Sequence, residues 1–415
     1  MLLRLTVLFT LFVSWSTPLR AGDWPQILGP QRNGVAQDEV LLNQWPKTGP
    51  EIAWRMPAAG GYAGTAIAKG RVILFQRVDD QEQIQAIDLL TGKSLWKANF
   101  PATYRGGIDP DLGPRCVPLV HNDKVYVFGA AADLHCVELA TGQKVWSRSL
   151  ADDFDLIASY FGAGSSPIVA GDRLWLNLGA RGAGLVALAL DTGKTLYQGT
   201  DEQASYSSPV AAKLNGKESV IFVTRYNAVA IDAKSGDALF SLPFGKRGPT
   251  VNAASPLVFN NRLFLSASYG VGAQMFDVSQ MPPKLVWQND DSMSSQYTTC
   301  AQIAGYLYGV DGREDVGGAN LRCVDAATGK VQWSEDGFGI AHVIGVGDQL
   351  LIVQHDGTLQ LASATPRVFK PLAKAVVARG TVRALPALSQ GRLVVRTIAT
   401  GGGGELVCVV VGKRS

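Results

Sequence analysis

The chain lacks the cysteine patterns that covalent cofactors and structural metals use. Its five cysteines are Cys116, Cys136, Cys300, Cys323 and Cys408. No two are adjacent and no Cys-x-x-Cys pair occurs, which excludes covalent attachment of c-type haem and argues against a cysteine zinc site. An odd number leaves at least one thiol unpaired, even in an export compartment that permits disulfides.

Several enzyme motifs are also missing. The four histidines, His121, His135, His342 and His355, show no paired metal spacing such as His-Glu-x-x-His. Neither a Gly-x-Ser-x-Gly elbow nor a phosphate-binding Gly-x-x-x-x-Gly-Lys loop occurs. The sequence therefore predicts no metal site and assigns no catalytic residue.

An excess of charge of one sign is missing too. Lysine and arginine total 38 against 35 aspartates and glutamates, and charged residues make up only 18% of the chain. A nearly neutral chain has no electrostatic footprint for nucleic acid or an anionic membrane surface, so we expect neither as a partner.

The N-terminus has an apolar run too short to cross a bilayer, which takes roughly 20 apolar residues. Residues 5–15 form a mainly apolar run that follows Arg4 and precedes the small residue Ala21. This order is typical of a secretory signal, so residues 1–21 are predicted to be a cleaved signal peptide, with a buried N-terminal strand or helix as the alternative. Because the first cysteine is Cys116, we expect no lipid anchor. The mature protein is predicted to be soluble and periplasmic or extracellular.

What the sequence has in abundance is repetition. Five copies of one phrase place an aromatic residue ten positions after a small residue, and they begin at Ala86, Cys136, Ala187, Ala230 and Cys323. The first copy reads Ala86-Ile-Asp-Leu-Leu-Thr-Gly-Lys-Ser-Leu-Trp96. Apolar alternation runs into a turn whose glycine accepts a positive φ, and a second alternation follows. The phrase therefore predicts a β-hairpin.

A matching hairpin precedes each copy, most clearly at residues 165–176. Four short strands per repeat, at intervals of 43 to 51 residues, are typical of a propeller blade. We predict strand sets that begin near Tyr62, Arg115, Gly164, Tyr206, Ala253, Thr298, Ile340 and Arg383.

These sets predict an all-β protein, an eight-bladed β-propeller of four-stranded antiparallel blades over residues 51–413. The last set is one strand short, and the N-terminal strand at residues 51–56 is predicted to pair into the last blade and close the ring. Seven blades is the alternative if the degenerate copy at residues 359–372 is not a blade. Residues 22–50 are predicted to form an extended strap along the propeller.

The Asp-x-x-Thr-Gly-Lys-x-x-Trp phrase resembles the tryptophan-docking motif of the pyrroloquinoline quinone (PQQ) family, over almost the whole mature chain. In that family the aromatic packs between neighbouring blades. The resemblance thus implies structural roles for Trp54, Trp96, Trp146, Tyr197, Phe240, Trp287 and Trp333. Residues 24–34 resemble the lead-in segment of exported PQQ-like repeat proteins.

Candidate ligand residues follow from equivalent positions in the blades. First strands line the central channel, so side chains just before them are expected to converge on its mouth. The candidates for a ligand or partner rim are Tyr62, Arg115, Tyr206, Asn252, His342 and Arg383. Two arginines would suit an anionic or polar ligand. Alternatively, these residues bond carbonyl groups and water at the rim of a filled channel.

Two functions remain open at this point. The chain resembles BamB-like propellers, which bind no quinone. That resemblance implies a monomeric, non-catalytic scaffold without a cofactor that binds a protein, peptide or polymer of the cell envelope on its loop-rich face. The alternative is a quinoprotein dehydrogenase of alcohols or sugars, for which the family implies PQQ, Ca²⁺ and a catalytic aspartate. The adjacent cysteine pair with which large alcohol-oxidising members clamp PQQ is missing here.

Overall fold

The computed structural model describes residues 22–157, 159–399 and 403–413. The predicted signal peptide lies outside the described residues. Within them the chain forms eight sheets around a central channel, so the prediction of eight blades is confirmed and the seven-bladed alternative is wrong. Each blade has four antiparallel strands, and one of the eight sheets includes a short fifth strand that pairs parallel.

Two short strands, β1 (Val35–Ala36) and β2 (Ile52–Ala58), precede the first complete blade. The strands of each blade are given from the innermost outward. Blade 1 contains β3 (Ala66–Ala68), β4 (Arg71–Val78), β5 (Gln81–Asp88) and β6 (Ser94–Pro101), and blade 2 contains β7 (Leu119–His121), β8 (Lys124–Phe128), β9 (Asp133–Glu138) and β10 (Lys144–Ser149). Blade 3 contains β11 (Ile168–Ala170), β12 (Arg173–Ala180), β13 (Ala183–Ala189) and β14 (Thr195–Gly199), and blade 4 contains β15 (Val210–Leu214), β16 (Lys217–Val223), β17 (Asn227–Asp232) and β18 (Ala238–Pro243). A short helix, α1 (Leu150–Asp153), follows blade 2.

Blade 5 contains β19 (Leu257–Phe259), β20 (Arg262–Ala267), β21 (Gly272–Asp277) and β22 (Lys284–Asn289), and blade 6 contains β23 (Ala301–Ile303), β24 (Tyr306–Arg313), β25 (Gly318–Asp325) and β26 (Val331–Glu335). Blade 7 contains β27 (Ala341–Val346), β28 (Gln349–Gln354), β29 (Thr358–Ser363) and β30 (Lys370–Val376). Blade 8 contains β31 (Ala387–Ser389), β32 (Arg392–Arg396) and β33 (Gly404–Val410). In the described part of the chain, no helix has the length and hydrophobicity needed to cross a bilayer.

The hydrophobic core lies between the blades. Successive side chains of a strand point to opposite faces of its sheet, and in β4 both faces are buried. Val72 and Leu74 belong to the cluster shared with blade 8, whereas Ile73 and Phe75 belong to the cluster shared with blade 2. The strands of the repeat are therefore apolar on both faces because each blade has a neighbour on either side.

The repeated glycine and aromatic dock one blade onto the next. Gly193 has a φ of +67°, and a Cβ there would lie 2.8 Å from the Trp146 ring of the preceding blade. Trp146 Nε1 donates a hydrogen bond of 2.9 Å to Leu190 O in the same turn. The corresponding tryptophan bonds run from Trp54, Trp96, Trp287 and Trp333 to the following blade. The structural role implied for the tryptophans is thus confirmed.

The ring closes as the sequence predicts. β2 pairs antiparallel with β33 and forms the outermost strand of blade 8. Hydroxyl groups add bonds between innermost segments: Val117 N donates to Ser166 Oγ at 2.8 Å, and Ser166 N donates to Ser208 Oγ at 2.9 Å. All five cysteines are buried free thiols.

Part of the predicted strap lies inside the ring. Residues 24–36, which we name the channel segment, contact the inner edges of several blades. Trp24 bridges Ile67 of blade 1, Pro25 O accepts a bond from Val120 N of blade 2, and β1 pairs parallel with β27 on the channel side of blade 7. The segment therefore fills the space that the innermost strands surround.

The channel segment enters and leaves the ring at one end. Asp23 accepts a hydrogen bond from Lys69 N, and Glu39 accepts bonds from Gln390 N and Gly391 N. Both contacts are to turns that join first and second strands, and these turns lie at the same end as the Thr-Gly turns. We name that end the turn face. The channel is thus filled from the turn face.

Candidate functional site

The opposite end carries the irregular loops. Connections between blades, and between second and third strands, lie there because alternate strand connections of an antiparallel blade share one end. We name it the loop-rich face. Binding residues on a regular scaffold concentrate in such loops.

A cavity of about 700 Å³ opens on the loop-rich face. We name it the mouth cavity, and its lining comes from loops of blades 1, 6 and 8 and from the connections before blades 1, 2 and 8. The lining residues are Gly60, Tyr62, Arg77, Asp79, Asp109, Pro110, Asp111, Leu112, Gly113, Glu314, Thr381, Arg383, Ile398 and Ala399. The volume falls within the range of about 300–1,000 Å³ that is usual for small-molecule pockets.

Two of the six predicted rim residues, Tyr62 and Arg383, line this cavity. The guanidinium carbon of Arg383 lies 5.3 Å from the centre of the Tyr62 ring. Tyr62 Oη donates to Asp109, at 2.9 Å to Oδ1 and 2.8 Å to Oδ2. Burial and this carboxylate raise the pKa of Tyr62 to about 12, so it remains a neutral donor at physiological pH.

Arg115 lies behind the cavity wall, and its side chain is only 8% exposed. One guanidinium nitrogen donates to Gly113 O, and the other donates to Asp111 O at 2.6 Å. The guanidinium packs between Tyr62 and Tyr104, 5.4 and 5.3 Å from the two ring centres. Arg115 therefore holds the loop that carries Asp109 and Asp111.

The other three predicted residues lie apart from the mouth cavity. Tyr206 Oη accepts a bond of 2.7 Å from Phe161 N, and Tyr206 lines a separate cavity of about 210 Å³. Asn252 is buried, and its Nδ2 donates to Thr224 O at 2.8 Å. His342 is also buried, which lowers its pKa to about 4, and its Nε2 lies 3.1 Å from Arg383 O. Asn252 and His342 thus bond backbone rather than face the mouth.

The sequence analysis did not single out Glu314, the centre of the ion-pair network here. Its Oε1 accepts from Arg383 Nη2 at 2.8 Å and lies 3.0 Å from His355 Nε2, while Oε2 accepts from Tyr297 Oη at 3.1 Å. Burial opposes ionisation of Glu314, but His355 and Arg383 outweigh it and lower its pKa to about 2. Glu314 is therefore an anion at physiological pH.

Asp109 and Asp111 complete the network from the loop before blade 2. Asp109 Oδ2 lies 3.6 Å from Arg383 Nη1, and Asp111 accepts bonds from Gly61 N and Gly113 N. The only sequence signal for these residues is the length and irregularity of their loops. No repeat position marks them, because each occurs in one blade alone.

The cavity can be tested for the quinone and calcium that the family resemblance implies. Among the described lining residues there is no tryptophan to form a flat platform. Three of the four lining carboxylates, Asp109, Asp111 and Glu314, already accept bonds from protein groups, whereas Ca²⁺ takes six to eight oxygen ligands. Within the described residues no cluster of three His, Cys, Asp or Glu side chains could hold a metal. These residues do not fit PQQ with Ca²⁺.

Comparison with known families identifies the repeat. A family model described as outer membrane protein assembly factor BamB matches residues 31–155 and, in an overlapping match, residues 80–335. The chain belongs to this family of PQQ-like repeat propellers. No curated protein matches the sequence.

Solved structures show the same fold at low sequence identity. BamB from Moraxella catarrhalis is 14% identical with a TM-score of 0.64, and the match covers 87% of this chain and 99% of that chain. Quinohemoprotein alcohol dehydrogenase from Comamonas testosteroni is also 14% identical, with a TM-score of 0.70 and coverage of 96% and 82%. At this identity the likeness establishes the PQQ-like propeller fold.

Proposed function

We propose that this protein is a non-catalytic propeller scaffold of the cell envelope that binds a protein, peptide or polymer partner on its loop-rich face. One observation carries the proposal. The channel segment fills the ring from the turn face, whereas the mouth cavity and the irregular loops around it lie together on the loop-rich face. A partner can therefore engage the cavity and its rim from the loop-rich face.

Exposed apolar side chains on that face support a macromolecular partner. Ile108 is 71% exposed and Val316 is 64% exposed, and both lie in loops of the loop-rich face. Ile108 N donates to Tyr160 O at 3.1 Å, which ties the loop before blade 2 to the loop before blade 3. Contiguous exposed apolar surface marks protein–protein contacts, and we propose that Ile108 and Val316 contribute to such a surface. The family description, outer membrane protein assembly factor BamB, supports an envelope location.

Site-specific photocrosslinking tests the face. A benzoylphenylalanine in place of Ile108 or Val316 is expected to capture the same partner in envelope extracts, because both positions border the binding surface. The same group in place of Lys93 or Lys194, in Thr-Gly turns of the turn face, serves as the matched control. Equal capture from both faces, or capture from the turn face alone, would contradict the proposal.

A quinoprotein dehydrogenase is the second candidate, favoured by the fold match to a quinohemoprotein alcohol dehydrogenase. The lining of the mouth cavity argues against it, because it contains no tryptophan and three of its four carboxylates already accept bonds from protein groups. Titration with PQQ and Ca²⁺, followed by quinone absorbance and by dye reduction with alcohols and sugars, separates the two. Saturable binding with turnover would replace the scaffold proposal with the dehydrogenase.

A further inference from the structure

We infer that the mouth cavity takes a cationic group, specifically a lysine or arginine side chain of a partner polypeptide. The inference rests on the proposed function and names the chemistry of the ligand. The charge of this ligand is opposite to that of the anionic ligand which the two rim arginines suggest from sequence alone.

The arginines of the cavity are already neutralised by acceptors of this chain. Arg383 donates through Nε and Nη2 to Glu314, and its third nitrogen lies 3.6 Å from Asp109. Arg77 is buried, and its guanidinium donates to Tyr104 O, Asp79 O and the Asp80 carboxylate. An anionic ligand would have to break these bonds, whereas a cation would not.

The carboxylates exceed the guanidiniums in the lining. Asp79, Asp109, Asp111 and Glu314 stand against Arg77 and Arg383 in the lining. Arg115, behind the wall, also pairs with Asp111 at 3.8 Å, which leaves a formal excess of one negative charge. Asp79 is exposed, and its carboxylate has no hydrogen bond or ion pair within the described residues. This unpaired carboxylate on the wall of a cavity is the group that an incoming cation would contact first.

The rest of the lining suits the stem of a basic side chain. Pro110, Leu112 and Ile398 contribute apolar surface beside the charged groups. Lysine and arginine bury their methylene stems along apolar surface while the charged head reaches polar partners. A divalent metal would instead need several free oxygen ligands, and only Asp79 among the four lining carboxylates is unengaged. An organic cation therefore fits the donor set better than a metal ion.

Arg383 itself illustrates the arrangement. Its guanidinium stacks on Tyr62 and bridges Asp109 and Glu314. The cavity wall thus already holds one side chain of the proposed class. Asp79 also lines the cavity, and no cation of the described residues pairs with it.

The test uses the full chain and two fluorescein-labelled Gly-Ser peptides that differ only in carrying lysines or glutamates. Fluorescence anisotropy is measured at low salt and at about 150 mM ionic strength, where the Debye length is about 8 Å. We expect saturable binding of the lysine peptide and none of the glutamate peptide. Binding of the glutamate peptide, or of neither peptide, would overturn the inference.

A charge-neutral variant locates the site. Asp79→Asn combined with Asp109→Asn keeps hydrogen-bonding capacity, and asparagine tolerates the φ of +51° at position 79. The double variant is expected to bind the lysine peptide about tenfold more weakly, as when a partly desolvated charge pair is broken. Asp152→Asn removes an exposed charge elsewhere on the same face and is expected to leave affinity within about twofold.

An equal loss in Asp152→Asn would mean general attraction to an acidic surface and would refute the cavity site. Circular dichroism and thermal melting of each variant check that it is folded, and Asp79→Asn alone provides the second reading if the double variant is unstable. Failure of the peptide assay with intact photocrosslinking at Ile108 and Val316 would reject the cation and leave the scaffold proposal standing. Loss of the crosslinks with intact binding of the lysine peptide would reject the scaffold proposal and leave the cation site standing.

Discussion

At the residue scale, Glu82 is a carboxyl buried between blades 1 and 2. It is 2% exposed; Oε1 accepts a bond of 3.2 Å from Ala130 N, and Oε2 has no hydrogen-bond partner among the described residues. Burial raises the pKa of Glu82 to about 7. The nearby His135, whose Nε2 lies 3.9 Å from Oε2, has its pKa lowered to about 4 by burial.

These shifts predict how stability depends on pH. Because Glu82 holds its proton more tightly in the folded state, its contribution to stability is present below about pH 4.5 and is lost as pH rises through about 7. Glu82→Gln removes that loss, so the variant is expected to be more stable than wild type at pH 8, by roughly 1–3 kcal/mol. Urea denaturation at pH 5 and pH 8 measures the difference.

The control for this substitution is Glu51→Gln, at an exposed position, which is expected to change stability by less than about 0.5 kcal/mol at either pH. His135 contributes with the opposite sign, because stability that depends on its neutral form is lost as pH falls from about 6.5 towards 4. That contribution stays in the Glu82→Gln variant. An unchanged pH profile in Glu82→Gln would contradict the assignment to Glu82.

At the element scale, the first strands of six blades begin four residues after the predicted starts, whereas those of blades 6 and 7 begin three residues and one residue after them. The predicted sets begin near Arg115 and Gly164, whereas β7 begins at Leu119 and β11 begins at Ile168. The intervening residues lie outside the strands, and their polar groups bond the neighbouring blade, as Ser166 and Ser208 do. Alternation of apolar and polar residues in the sequence indicates an extended backbone. It does not distinguish hydrogen bonds within a sheet from hydrogen bonds between blades.

The glycine of the repeated turn has two separable requirements. Gly193 combines a positive φ with contact to the Trp146 ring. Gly216, in the turn between β15 and β16, has a φ of +83°, but a Cβ there would have no atom within 4 Å. Gly216→Ala is therefore expected to cost only the backbone strain, about 1 kcal/mol. Gly193→Ala adds overpacking against the tryptophan and is expected to cost about 2–4 kcal/mol.

Chemical denaturation of the two variants side by side measures this difference. Equal losses would show that backbone strain alone explains the glycine and that docking of Trp146 adds nothing. The degenerate seventh blade shows whether the Thr-Gly turn is required for the hairpin. β29 and β30 pair without a Thr-Gly turn between them, so the turn favours the hairpin but is not indispensable to it.

At the scale of the whole molecule, Arg32 joins the channel segment to the far side of the ring. Arg32 is 2% exposed, and its guanidinium donates to Pro209 O at 2.8 Å, to Ser166 O at 3.4 Å and to Pro167 O. These carbonyls precede the innermost strands of blades 3 and 4, whereas β1 pairs with blade 7. One short segment therefore connects opposite blades through the channel.

Arg32→Met keeps much of the side-chain volume but leaves these carbonyl groups without their donors. Unsatisfied buried acceptors are costly, so we expect a loss of about 2–4 kcal/mol in the free energy of unfolding, measured by urea denaturation. Arg181→Met, at a side chain that is 76% exposed, is the matched control and should change stability by less than about 0.5 kcal/mol. A wild-type midpoint for Arg32→Met would contradict the role of Arg32 as a tie across the ring.

The rim residues show where inference from sequence reaches its limit. Equivalent positions predicted that Tyr62 and Arg383 approach the channel mouth, and both line the mouth cavity. Asn252 and His342, which lie within one or two positions of the equivalent position in their blades, are buried against backbone groups. Register along a strand is periodic, but the direction of a side chain at the strand's start depends on loops that do not repeat.

The sequence by itself determined the repeat, the eight blades, the docking aromatics and the strand that closes the ring. These follow from hairpin chemistry that acts within a few residues and recurs along the chain. Only the tertiary structure decided what meets at the channel mouth. Glu314 and Arg383 are 69 residues apart, and Asp109 reaches them from another blade. Their loops occur once each, so no period encodes the contact, and the sign of the cavity's free charge depends on which of these groups pair.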